Sequence, residues 1–305
     1  MFNLQWLLVY FGWLSVFIFV AGVFYRIVKF VSMPLNLRWE VYPVPHESKD
    51  KRIIGASYME EIDWAKKPIH KSLWGEIVEM GYEIFFLRKV REYNPYKIWA
   101  PSMAMHWGIY LLFTWIFFLL AESVFDIRFL NKIANITGIV SFVLGASGCL
   151  MLIVRRAMSR ELSLYTAPVD YFNLLFLLSI FVTGFISWWI DPSFIHSKKY
   201  IKNIISLNPS PVPSAVILNF LLFELFLIYM PFTKLLHYVA KYFTFHHGLW
   251  DDRFKEKDST IDKKIIEQLS YEVTWAGPHV IGGKTWLEEA QEYKLDETKS
   301  DKGKK

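Results

Sequence analysis

One cysteine, Cys149, stands in a chain of 305 residues. A lone thiol excludes an internal disulfide framework, a cysteine-based zinc site and a four-thiolate iron–sulfur cluster built by this chain alone. Charge is scarce as well, at 21% of residues, against 53% hydrophobic and 18% aromatic. With a mean hydropathy of +0.24, that balance excludes an ordinary soluble globule and points to a membrane protein. The net charge of +5 is no nucleic-acid footprint, because most of the cationic residues lie beside apolar runs, where they set topology. Membrane lipid, and no nucleic acid, is the expected surrounding.

Five runs are apolar and long enough to cross a hydrocarbon core of about 30 Å, which takes roughly 20 helical residues. They are Leu4 to Ile27, Pro101 to Ala121, Ile133 to Val154, Val169 to Ile190 and Ser214 to Leu236. The predicted fold is therefore all-α, a polytopic five-helix membrane bundle. The first run lacks a basic start, and Arg26 and Lys29 follow it, so it reads as a retained helix and not a cleaved signal. Assigning loops alternately to the two sides places 29 of the 34 Lys and Arg on one side. The positive-inside bias then predicts an outer N-terminus and a cytoplasmic C-terminus, in a cytoplasmic (inner) membrane.

This organisation divides the chain into a first span at 1–28, a cytoplasmic connection at 29–100, spans two to five at 101–236, and a cytoplasmic tail at 237–295. The charged end, 296–305, has no apolar anchors and is expected to be disordered. Within the connection, Trp74, Ile77, Val78, Phe85, Leu87 and Val90 recur at helical spacing among charged residues. That pattern fits an interfacial helix or a soluble helix packed on a partner. The run from Arg38 to His46 holds two prolines and no period, and should be extended. In the tail, Trp275 and Trp286 lie in a segment too short to build its own core, which suggests docking on a partner.

Of eight histidines, only His106 and His237 belong to the spans. The second span runs inward to outward with His106 near its start, and the fifth runs back with His237 at its far end. Both imidazoles therefore fall in the cytoplasmic leaflet. Two axial ligands at one depth on facing helices are what a bis-imidazole haem requires. A pair of structural histidines, each satisfied by a hydrogen bond, fits the same spacing. Gly108, close to His106, would let a flat macrocycle approach, and Arg155 and Arg156 would meet its propionates or simply anchor the span.

At these residues a resemblance emerges. The stretch Tyr229-Met230-Pro231-Phe232-Thr233-Lys234-Leu235-Leu236-His237, continuing to Tyr242-Phe243-Thr244, resembles the closing helix of the cytochrome b (gamma) subunit of respiratory nitrate reductases. The long insertion after the first span, with Trp39 to Glu47, is similar to relatives in anaerobes that sit beside a heterodisulfide-reductase-like iron–sulfur subunit, in complexes linked to sulfite reduction or to tetrahaem cytochromes. The resemblance implies haem b, with His106 and His237 matching the pair for the cytoplasmic-side haem. The outer pair falls ten residues after the first and eighteen before the second, at Ile116 and Asn219. Neither is a credible ligand, so one haem is expected and the family's outer quinol site is not carried over.

The resemblance also implies a quinone, menaquinone in such anaerobes, as substrate. A quinone needs hydrogen-bond partners and a titratable group for its protons. Glu224 is the one carboxylate deep inside a predicted span and is a functional candidate by that placement, or else a protonated carboxyl bonded to a neighbouring helix. Asn219, five residues away and close to the same face, would orient a carbonyl, and Asp170 with Tyr171 forms a second candidate. The leading expectation is an electron-transfer subunit between quinone and a cytoplasmic iron–sulfur partner, with a multihaem cytochrome c as a further possible partner. A cofactor-free membrane anchor is the alternative. A transporter is disfavoured, since five spans suit no inverted repeat.

Overall fold

The computed structural model describes residues 4–33, 44–45, 47, 49–54, 57–67, 72–125, 127–250, 256–277, 280 and 282–291. In chain order its α-helices are α1 Leu4–Val31, α2 Lys49–Ile54, α3 Leu73–Phe86, α4 Arg88–Tyr93, α5 Trp99–Phe125, α6 Arg128–Met158, α7 Arg160–Leu164, α8 Pro168–Ile190, α9 Ile195–Ser206, α10 Ser214–Tyr229, α11 His237–Phe243 and α12 Thr260–Leu269. Among the described residues there is no strand, only isolated bridges between Glu272 and Thr285 and between Gly277 and Val280. The expected all-α class holds. Among the described residues five helices are long and apolar enough to cross a membrane: α1, α5, α6, α8 and α10 with its following turn. The protein is a multi-pass membrane protein.

Two compact units divide the chain, residues 1–25 with 76–236, and residues 26–75 with 237–305. The first is the helical bundle. In lipid the hydrophobic effect does not drive helices together, so close backbone packing and interhelical hydrogen bonds must do so. The α5–α6 contact shows how: a Cβ added at Gly108 would lie 2.4 Å from the Gly145 Cα, and one added at Gly148 would lie 2.3 Å from the Met105 nitrogen. Ser141 Oγ completes the contact by donating to the Gly108 carbonyl at 2.7 Å. Gly108 is thus occupied by α6, and its missing side chain serves helix packing where the sequence had suggested a flat face for a macrocycle. Between α8 and α10, Ser187 Oγ donates to the Ala215 carbonyl at 3.1 Å, and Tyr229 Oη donates to Asn173 Oδ1 at 2.9 Å. Large apolar side chains such as Leu7, Phe17 and Phe24 stay exposed on α1, as a lipid-facing surface requires.

The ends of the bundle are tied by polar groups. At one end Arg155 donates to the Tyr96 carbonyl at 3.2 and 3.1 Å, and Lys234 pairs with Asp170. The start of α5, the end of α6, the start of α8 and the chain leaving α10 therefore share this end, called here the His106 end. At the other end Lys198 of α9 donates to the buried Glu122 of α5 at 2.6 Å. Helix α9 lies in a loop for which the sequence reading foresaw no element. The fifth span also departs from the expected unbroken helix to Leu236. Pro231 has no N–H to continue the α-helical ladder, and the chain passes into two tight turns, Met230–Phe232 and Lys234–Leu236.

In the second unit Glu47 Oε1 accepts from Ser57 Oγ at 3.0 Å and from the Tyr58 N–H at 2.6 Å. Glu61 is flanked by Lys51 and Lys67, and hydrogen bonds from these two ammonium groups hold its carboxyl down at about 2. After α11 a wide turn, Thr244–Leu249, packs Phe245 on Trp250 with ring centroids 4.7 Å apart. Farther on, the Val273 N–H donates to the Lys284 carbonyl at 2.8 Å, and Gly283 N–H returns to the Val273 carbonyl at 2.9 Å. Gly282 and Gly283, both at φ +77°, make the turn that this pairing needs. Most of the run from Arg38 to His46, together with His70, His279 and the charged end 296–305, lies outside the described residues.

Candidate functional site

His106 stands in the second turn of α5, with its Nδ1 2.7 Å from the Ser102 carbonyl oxygen. A carbonyl only accepts, so Nδ1 carries the proton of this contact. A ring nitrogen anchored on a backbone carbonyl is the usual support of a metal-binding imidazole. His237 is the first residue of α11, exposed, three residues beyond the Lys234 that pairs with Asp170. Arg155 spends its donors on the Tyr96 carbonyl. Arg156 Nη1 donates to Thr166 Oγ1 at 3.1 Å, while its Nε is buried without an acceptor. A guanidinium with an unused buried donor at the His106 end suits an anionic group such as a propionate.

Sequence reasoning missed a second feature at this end. The last carbonyls of α3 have no helical N–H to accept from, and α5 supplies the donors. Trp99 Nε1 reaches the Phe86 oxygen at 2.8 Å, Trp107 Nε1 the Phe85 oxygen at 3.2 Å, and Tyr110 Oη the Ile84 oxygen at 2.9 Å. The residues flanking His106 thereby pin the end of α3. The signal was present as three polar aromatics near one end of the span, and it reads equally as an interfacial belt.

Mid-bundle, Asn219 and Glu224 turn to different helices. Asn219 Nδ2 donates to the Ile180 carbonyl at 2.8 Å and to Thr183 Oγ1 at 3.1 Å, both on α8. Glu224, only 4% exposed, accepts from Tyr200 Oη of α9 at 3.0 Å through Oε1, and its Oε2 is buried without a partner. Asp170 caps α8, accepting from the Ala167 N–H at 2.9 Å, besides its pair with Lys234. These three candidates therefore do not converge on one point. Between α5 and α10 the space beyond the His106 end is filled by rings: Phe113 against Phe223 at 5.7 Å, and Trp115 stacked on Phe220 at 5.9 Å. Ile116 and Asn219 accompany this packing, and the donor set there does not suit a second haem.

At the α9 end a cavity of about 250 Å³ is lined by Gln5, Val9, Tyr200, Asn203, Ile204 and Ser210, among others. Tyr200 is stacked on Phe220 at 4.5 Å and is 2% exposed. Burial first, and the Glu224 carboxyl second, push its hydroxyl well above the ordinary tyrosine range, so it stays protonated as a donor. Nothing in the sequence singled out Tyr200, because its partner lies 24 residues away on another helix.

The described residues thus form a five-span helical bundle with an anchored imidazole and an arginine pair at one end. The chain belongs to the nitrate reductase gamma subunit family, which it matches over residues 93–249. That stretch contains both His106 and His237. Over 295 residues the chain is 23% identical to the Hdr-like menaquinol oxidoreductase cytochrome b-like subunit of Archaeoglobus fulgidus, with 87% of this chain and 86% of that protein covered. No solved structure matches the chain.

Proposed function

We propose that this protein is a haem b subunit that passes electrons between membrane quinone and a cytoplasmic iron–sulfur partner. His106 and His237 would hold one haem, and of the arginine pair Arg156, whose Nε is buried without an acceptor, would meet a propionate more readily than Arg155, which donates to the Tyr96 carbonyl. The observation that supports the reading is the His106 Nδ1 contact with the Ser102 carbonyl, which fixes the ring on α5. Membership of a cytochrome b family supports it. A bis-imidazole haem supplies one-electron transfer when bound. The chain's own contribution is to hold the imidazole, keep the surroundings dry with apolar helices, and manage protons.

The relative's name identifies menaquinol as the reductant class and an Hdr-like complex as the setting, and both suit this chain. Glu224 is the preferred proton-handling group over Asp170, since its buried Oε2 has no partner whereas Asp170 is committed to the α8 cap and Lys234. The charge distribution favours an outer N-terminus, which places the His106 end on the cytoplasmic side of the inner membrane, facing the iron–sulfur partner. The test is spectroscopic. Purified protein should contain one low-spin, six-coordinate haem b per chain by pyridine haemochrome assay, and His106→Ala or His237→Ala should each abolish it. Two haems per chain, or a normal spectrum in either variant, would refute the assignment; no haem in the native complex would leave a bare anchor.

A further inference from the structure

Glu224 sits roughly halfway along the bundle. Its neighbour Phe223 packs on Phe113 at 5.7 Å, and Phe113 is seven residues, ~10 Å of helix, beyond His106. From this carboxyl a single hydrogen bond leads away from the His106 end, to Tyr200 Oη at 3.0 Å. Tyr200 in turn lines the cavity at the α9 end, where Asn203, Ser210 and Gln5 add polar groups. Asn203 Nδ2 donates to the Ser210 carbonyl at 2.8 Å and its Oδ1 accepts from Ser210 Oγ at 2.8 Å, so this wall is held in place without using Tyr200. A cavity of about 250 Å³ with polar groups on one wall has room for several water molecules. Helix α1 leaves space for the carboxyl at Gly12, where an added Cβ would lie 3.1 Å from Glu224 Oε1. On the other side, Glu224 Oε2 is buried with no partner. One oxygen of the carboxyl is therefore connected to the cavity, and the other is available to the bundle interior.

We propose that Glu224 and Tyr200 form a proton relay between the bundle interior and the α9 end, so that quinone protons are exchanged with the membrane face opposite the His106 end. The relay rests on the quinone reading above. Oxidation of one quinol releases two electrons and two protons, and the electrons pass one at a time toward the haem. Each proton is taken by the Glu224 carboxylate, giving the acid. The carboxyl then turns its proton toward Tyr200 Oη while the tyrosine hydroxyl turns toward water in the cavity; as the hydroxyl gives its proton to water it takes the one from Glu224, which leaves the tyrosine donating to the carboxylate as at the start. Quinone reduction runs the same steps backward.

The experiment uses the intact complex in liposomes, its orientation fixed by protease access to the tail, with a menaquinol analogue as donor and a pH dye on each side. Tyr200→Phe keeps the ring stacked on Phe220 and removes only the hydroxyl, and Glu224→Gln keeps the shape of the side chain. Wild type should release protons at the α9 face. Both variants should keep full haem content and dithionite reduction, lose proton release at that face, and reduce haem with quinol about tenfold or more slower, as the loss of a positioned acid–base group implies. Wild-type rates and sidedness in both variants would overturn the relay alone. Haem that dithionite reduces but menaquinol leaves oxidised in the wild-type complex would overturn the quinone reading and the relay with it.

Discussion

Five residues along a helix amount to about 140° around its axis at 3.6 residues per turn, and that angle separates Asn219 from Glu224. The sequence places them near one another, and the bundle sends them to α8 and α9. The histidine pair was legible because depth in a span follows from counting, and Glu224 because a carboxylate among apolar residues has a cost that invites explanation. Tyr200 was illegible, since a hydroxyl in a loop acquires meaning only from the helix packed against it. Asn219 carries its own expectation. Its amide bonds to Ile180 and Thr183 are interhelical bonds of the kind worth about 0.6 to 1.7 kcal/mol in a membrane. Asn219→Leu should lower the stability of the bundle by that order, measured by unfolding in mixed micelles, with haem content and quinol-driven reduction unchanged. Slowed reduction at unchanged stability would return Asn219 to the quinone site.

The elements follow the apolar periodicity where lipid enforces it and depart where local chemistry intervenes. All five spans were readable from length and composition, because an unsatisfied backbone group in hydrocarbon is too costly for anything but a helix. The early end of α10 is the work of Pro231, and the length of α6 comes from polar residues at both ends that a hydropathy window excludes. Helix α3 was anticipated by its spacing, but its anchorage was not. The three donors from Trp99, Trp107 and Tyr110 hold carbonyls that no helical N–H can reach. Trp107→Phe keeps an aromatic ring, though a smaller one, and removes the indole donor, which should cost about 1 kcal/mol locally. Hydrogen exchange across residues 73–86 should quicken about fivefold while exchange in α6 and α8 stays unchanged. Uniform quickening through the bundle would show that Trp107 supports the spans and not α3.

For the molecule as a whole, lipid covers the apolar surface of the spans, and the second unit carries an exposed aromatic pair of its own. There the Val273 N–H pairs with the Lys284 carbonyl, with Val273 buried. Yet Trp275 and Trp286, their ring centroids 6.4 Å apart, remain 53% and 41% exposed. Two adjacent exposed tryptophans are costly to leave uncovered in water, and tryptophan is among the residues most often found at interface hot spots. The composition announced the tryptophans, but the sequence did not show that a glycine turn would set them side by side. An Hdr-like iron–sulfur subunit is the occupant that the proposed function supplies. Removing residues 270–305 should then leave the haem spectrum intact and release the partner during purification, while removing 296–305 alone should leave the complex whole. The double variant Trp275→Ala, Trp286→Ala should reproduce the release with the backbone turn in place. Recovery of an undiminished complex after the longer truncation would show that docking lies elsewhere on the protein.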